Sequence, residues 1–116
     1  MDDCTQTFVD AAKQLELSPT EDSGLIVCRF IPAVGVLAGT SIEVGVAVDE
    51  LRSWPQAPPY WVHLPGDISF AENGAIEASP KEGWLKHSRQ ISNWGSAPPA
   101  ADWSSHIHAV LRDATR

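Results

Sequence analysis

The chain has 116 residues, of which 43% are hydrophobic and 20% are charged. This length and composition predict one globular domain over residues 1–116, with enough apolar surface to form its own core. Fifteen acidic against eight basic residues give a net charge of -7, and the basic residues do not cluster. Such a balance repels polyanions and therefore excludes nucleic acid as a partner.

The first element is a predicted helix over residues 3–17. Its apolar residues recur at helical spacing: Phe8, Ala11, Ala12 and Leu15. Asp3 and Gln6 occupy the positions of a capping pair at its start. The dipeptide Ser18-Pro19 ends the helix, because a residue that precedes proline avoids the helical region.

Two strands are predicted next. A β-branched run from Gly24 to Ile31, followed by Pro32, is typical of a buried strand. After a turn over residues 32–39, apolar residues alternate with smaller or polar ones at Ile42, Val44, Val46 and Val48. The two segments are close enough in the chain to form an antiparallel hairpin.

All five tryptophans lie beyond Asp49. Prolines 55, 58 and 59 give an extended connector into a short third strand over residues 60–64. Residues 65–83 show no periodic pattern, and an irregular stretch of this length is usually functional or disordered. The last element is a predicted helix over residues 102–114 with Asp102 as its N-cap and an apolar stripe of Trp103, Ile107, Val110 and Leu111.

The cysteine content and the first residues bear on chemistry and location. Cys4 and Cys28 are too few for a disulfide scaffold or a zinc site, so we expect no metal and no cofactor. The start, Met1-Asp2-Asp3, lacks the basic and apolar features of a signal peptide, and no apolar run reaches transmembrane length. We therefore expect a cytoplasmic protein without membrane contact.

Three motifs between residues 54 and 111 carry a resemblance to a known superfamily. The segment Trp54-Pro55-Gln56-Ala57-Pro58-Pro59 resembles the tyrosine-proline connector that precedes the final strand of ubiquitin-conjugating (E2) enzymes. Asn73-Gly74-Ala75-Ile76 resembles the turn that leads into the E2 nucleophile. Residues 83–90, followed by Trp94, are similar to the Trp-rich segment with a Ser-Arg pair in prokaryotic E2 family E.

The resemblance implies a fold and a set of partners. The fold is an α+β, UBC/E2-like domain in which an N-terminal helix packs on a three- to four-stranded antiparallel sheet. An irregular active-site loop and a C-terminal helix follow. Genes of this family typically lie beside those of a ubiquitin-like protein, an E1-like adenylating enzyme and a JAB-type peptidase. The implied partners are therefore the E1-like enzyme and the ubiquitin-like protein.

The chain departs from this family at the nucleophile. Glu77 follows Ile76, where a thioester-forming E2 has cysteine. Cys4 and Cys28 fall in the predicted first helix and first strand, far from this position. A thiolate attacks and leaves readily, whereas a glutamate does not perform such transacylation. The domain therefore carries either no thioester or an oxyester on a hydroxyl group.

Two serines are candidate acyl acceptors. Ser79 lies two residues past the aligned nucleophile position, and Ser88 lies beside His87. An imidazole, from His87 or from His63 on the preceding strand, would act as the base, and Arg89 would hold developing negative charge. The alternative interpretation is that both serines only cap backbone groups.

A second hypothesis is a catalytically silent E2 variant that acts as an adaptor or scaffold for the E1-like enzyme or the ubiquitin-like protein. Trp84, Glu77 and Asn73 would then contribute to a partner-binding surface, although tryptophans in a small domain often serve packing instead. A third is an unrelated α+β binding domain. His106 and His108 are predicted to be surface groups, because residues two apart on a helix point in different directions.

Overall fold

A six-stranded antiparallel sheet carries the fold in the computed structural model, which describes residues 2–71, 74–92 and 94–116. Helix α1 (Asp3–Gln14) precedes strands β1 (Thr20–Asp22), β2 (Leu25–Phe30) and β3 (Ile42–Ala47), and a short 3₁₀ helix (Val48–Ser53) follows. Strands β4 (Trp61–Pro65), β5 (Ile76–Ala78) and β6 (Trp84–Ser88) and helix α2 (Pro99–Arg112) complete the chain. The strand order in the sheet is β1-β2-β3-β4-β6-β5.

The predicted α+β class, the N-terminal helix, the antiparallel sheet and the C-terminal helix are confirmed, but the predicted number of strands is wrong. The described residues form six strands where three or four were expected. The additional strands include β1 and β5, which have three residues each, all of them exposed. The stretch over residues 65–83 was expected to be irregular, yet it contains β5.

Helix α1 begins at Asp3 as expected but ends at Gln14 rather than at residue 17, and its cap and the start of helix α2 differ from the prediction. The N-cap of α1 is Asp2, whose carboxylate accepts a hydrogen bond from the Thr5 N–H at 2.8 Å, so the predicted capping pair at Asp3 is wrong. Helix α2 begins at Pro99, because proline at the first helical position is already in helical geometry. Asp102 therefore lies inside the first turn of α2 and is not its N-cap.

The core lies between the helices and one face of the sheet. Alternate residues of the central strands point to this face, as the period of two requires. The buried side chains include Ile26, Cys28, Phe30, Val44, Val46, Val62 and Leu64 from the sheet and Phe8, Trp103, Ile107 and Leu111 from the helices. Trp103 lies at the centre, with ring centroids 5.1 Å from Phe8 and 5.6 Å from Phe30.

The opposite face of the sheet contains a second, smaller cluster. Strands β3 and β4 pair at Gly45 and His63, where a side chain on Gly45 would lie 2.9 Å from Leu25 and 3.2 Å from the His63 Cβ. Because the strands approach so closely, Leu25 and Val27 of β2 reach Trp84 of β6. An ion pair between Lys81 and Asp22 joins the β5–β6 turn to β1 across this face.

None of the helices in the described ranges combines the length and the apolar character that crossing a bilayer would require.

Candidate functional site

The hydroxyl of Ser79 lies beside the imidazole of His63 on the sheet face opposite the main core. Ser79 directly follows β5, and its N–H donates to the Trp84 carbonyl at 3.2 Å, which places its side chain over the sheet. Its Oγ is 2.8 Å from the Nδ1 atom of His63 and also accepts the Lys81 N–H at 3.3 Å. The register of β4, β6 and β5 therefore brings together two residues that are sixteen positions apart.

His63 is neutral at neutral pH in this setting. Its side chain is buried, and its Nε2 atom has no hydrogen-bond partner among the described residues. Burial, with a smaller contribution from the nearby Lys86 ammonium, lowers the pKa of His63 to about 4. In the tautomer with the proton on Nε2, Nδ1 accepts from the Ser79 hydroxyl and can take its proton.

Glu77 and Lys86 lie next to this pair. Glu77 pairs with Lys86 in the β5–β6 register, and their charged atoms are 3.5 Å apart. The Lys86 Nζ also lies 4.5 Å from the centroid of the Trp61 ring. Because residues two apart on a strand share a face, Glu77 and Ser79 point to the same side of the sheet. Glu77 is thus a neighbour of the serine–histidine pair.

Ser88 has a different environment. Its Oγ accepts the Ala75 N–H at 2.9 Å, and its own N–H donates to the Ala75 carbonyl, so the side chain fixes the start of β5. His87 precedes it but points to the opposite face, because successive strand residues alternate. There it is buried against the Phe70 ring, at 5.0 Å between centroids. The structure therefore separates Ser88 from the imidazole beside it in the sequence.

The two cysteines lie away from both serines. Cys28 is fully buried in the core, and burial raises the pKa of its thiol to about 12. A thiol in this state is protonated and poorly nucleophilic. Cys4 is half-buried in the first turn of α1.

Arg89 lines an open cleft of about 790 Å³ between the end of β6 and helix α2. The guanidinium stacks 4.7 Å above the Phe70 ring, and its Nη1 donates to the Ser88 carbonyl at 2.7 Å. Ala109, Val110 and His106 of α2 form the opposite wall, and Asp113 completes it. Ser79 and His63 are not among the residues that line this cleft, so Arg89 lies at a different place from the serine–histidine pair.

The predicted partner-binding residues are dispersed. Trp84 is only 9% exposed and packs on Leu25 and Val27, with Lys81 above its ring. Glu77 is exposed at the sheet edge. Asn73 lies outside the described residues. Trp94 is half-buried against Trp54, with 5.5 Å between ring centroids.

His106 is a residue that the sequence interpretation missed. It was expected on the surface, but it is half-buried, and its Nε2 has no partner among the described residues. Its position three residues after Trp103 and four before Val110 indicates the same flank of the helix as the apolar stripe. This spacing is the sequence feature from which the partial burial of His106 could have been predicted. Within the described ranges, no three histidine, cysteine or acidic side chains converge as a metal site.

No family model, curated protein or solved structure matches this chain. The fold and the site define it as an α+β domain with a half-buried serine beside a buried histidine on one sheet face and an arginine-lined cleft beside α2.

Proposed function

We propose that this chain is an E2-like component of a bacterial ubiquitin-like conjugation pathway. It receives or presents the C-terminus of a ubiquitin-like protein activated by an E1-like enzyme. The observation that supports this proposal most directly is the 2.8 Å contact between Ser79 Oγ and His63 Nδ1. Ser79 lies two residues past Glu77, the position that the resemblance aligns with the E2 nucleophile.

In the catalytic form of the proposal, Ser79 is the acyl acceptor. Its Oγ attacks the carbonyl carbon of the activated C-terminus, and His63 Nδ1 takes the hydroxyl proton. The bond from that carbon to the leaving group then breaks, the leaving group departs with the electron pair, and the imidazolium returns the proton to it. The Lys86 ammonium, on the same face, stabilises the developing oxyanion.

Ser79 is a better candidate than Ser88 for this step. Ser79 has an imidazole within hydrogen-bond distance, whereas the Ser88 hydroxyl accepts the Ala75 N–H and has no described imidazole bonded to it. His87, the nearest histidine in the sequence, lies on the other face of β6. The role of Arg89 in this mechanism is not supported by a contact with Ser79, since Arg89 bonds to Ser88.

The test is an adduct assay with the E1-like enzyme, ATP and the ubiquitin-like protein. The expected product is a covalent adduct that resists thiol reductants and is cleaved by hydroxide. Ser79→Ala is expected to abolish it, and His63→Gln to slow its formation at least about 100-fold, the usual scale of general-base catalysis. Ser88→Ala is the matched control and should retain the adduct. An adduct that survives in Ser79→Ala would contradict the assignment.

A second candidate function is an adaptor that binds these partners without a covalent step. Two observations favour it. His63 is only 2% exposed, which limits its contact with a substrate, and Ser79 Oγ already accepts a hydrogen bond from the Lys81 N–H. In that case the same assay yields no adduct, while the chain still binds the E1-like enzyme in a pull-down. The two candidates therefore give opposite results in one experiment.

A further inference from the structure

We propose that the cleft between β6 and α2 is a second binding site, which takes the C-terminal carboxylate of a peptide or protein chain. Arg89 pairs with the carboxylate, and the Nε2 atom of His106 accepts the amide N–H of the last residue. This site is separate from the serine–histidine pair. Ser88 and Trp84 mark opposite ends of β6, about 13 Å apart at the usual rise per strand residue.

Arg89 is held in place for this role. Its guanidinium is stacked on Phe70 and bonded through Nη1 to the Ser88 carbonyl. Gly74 approaches it closely, since a Cβ there would lie 2.7 Å from Nη1. In the described ranges no carboxylate forms an ion pair with Arg89. A fixed guanidinium whose charge is not paired in this way binds a carboxylate well, because its geometry matches two oxygens.

His106 supplies a complementary group on the facing helix. Burial and the charge of Arg89 lower its pKa, while a hydrogen bond to the Arg89 backbone opposes this shift. The ring is therefore neutral, with one proton directed to that backbone. The other nitrogen, Nε2, is then a buried acceptor without a partner among the described residues. An acceptor in this state gains most from a ligand N–H.

The combination of donor and acceptor selects among anions. A peptide C-terminus has a carboxylate and, next to it, an amide N–H, so it satisfies both Arg89 and His106. Inorganic phosphate has a P–OH donor at neutral pH, but it has no amide N–H beside a carboxylate and no apolar side chain to contact the wall of the cleft. The apolar wall of Phe70, Ala109 and Val110 suits an aliphatic last side chain. A volume of about 790 Å³ is ample for two or three residues.

Asp113 lines the same cleft and is the acidic residue that a carboxylate would meet. It is exposed, and its Oδ1 lies 3.5 Å from the Arg112 Nε. Solvent and this partner screen its charge, so its repulsion of a ligand carboxylate is weak.

The experiment is a calorimetric titration of the intact chain with three probes. These are N-acetyl-Ala-Ala-Val with a free carboxylate, the same tripeptide as its C-terminal amide, and inorganic phosphate. We expect the acid to bind at least about tenfold more tightly than the amide, the scale of a charge-assisted hydrogen bond, and phosphate to bind more weakly than the acid. Equal binding of acid and amide, no binding of the acid, or tighter binding of phosphate would overturn the proposal.

Two variants assign the contacts. Arg89→Gln should remove the difference between acid and amide, whereas His106→Phe should weaken both, because both contain the amide N–H. Arg52→Gln is the matched control, since Arg52 is an exposed arginine paired with Asp49 and does not line the cleft. If Arg89→Gln leaves the acid preference intact, the assignment fails. If that variant does not fold, the affinities of the three probes for the unmodified chain still show whether the cleft prefers a free carboxylate.

Discussion

Trp103→Ala is expected to lower the free energy of unfolding by about 4 kcal/mol, the usual cost of removing a large aromatic side chain from a core. Trp103 is 1% exposed and forms edge-to-face contacts with Phe8 and Phe30, so its loss leaves a cavity between both helices and the sheet. Urea denaturation followed by circular dichroism measures the change.

The control for this prediction is Tyr60→Ala. Tyr60 is 49% exposed, and its removal should cost less than about 1 kcal/mol. If both variants unfold at the same urea concentration, Trp103 does not anchor the core. A loss of cooperativity in Trp103→Ala alone would still agree with the assignment, because the two helices meet the sheet through this side chain.

The stability of the protein is expected to fall as the pH drops from 6.5 to 4, with His63 alone contributing about 3 kcal/mol. The folded-state pKa of His63 is about 4, below its ordinary value of 6.5. In this window the unfolded chain binds a proton at His63 that the folded chain does not. The contribution of neutral His63 is therefore present above pH 6.5 and is lost as the pH falls toward 4.

Urea denaturation at several pH values tests this expectation through the difference between variants. His87 and His106 also have lowered pKa values. The free energy of unfolding of the unmodified chain should therefore fall by more than the contribution of His63 alone. His63→Gln should flatten the profile by the contribution of His63. Parallel profiles for the unmodified chain and His63→Gln would show that His63 does not titrate as inferred.

Periodic burial explains which elements were predictable. Strand β2 is buried on both faces and forms a continuous apolar run, whereas β3 and both helices repeat their apolar residues at the period of one buried face. Strands β1 and β5 are held by backbone pairing to a neighbour and bury no side chain, so their sequences contain no apolar period. The cap of α1 was misplaced because Asp2 rather than Asp3 caps it, and the start of α2 was misplaced because the helix begins at Pro99 rather than at Asp102.

The candidate site was predictable residue by residue but not as a pair. Ser79 and His63 were each named from the sequence, yet their contact depends on the register of β4 and β5 on β6, which no local pattern fixes. His87 was chosen because it adjoins Ser88, and strand alternation sends it to the other face. Proximity in the sequence was therefore a poor guide to proximity in space on these strands.

The two outermost strands have a consequence for how copies of this chain meet one another. Each has a glutamate at its middle position, Glu21 in β1 and Glu77 in β5, and the backbone on its outer side has no strand beside it in the described sheet. If two molecules joined by antiparallel addition of like edges, these carboxylates would face each other at about 5 Å. Short edge strands with a glutamate at the middle position therefore disfavour edge-to-edge pairing between molecules and so reduce aggregation.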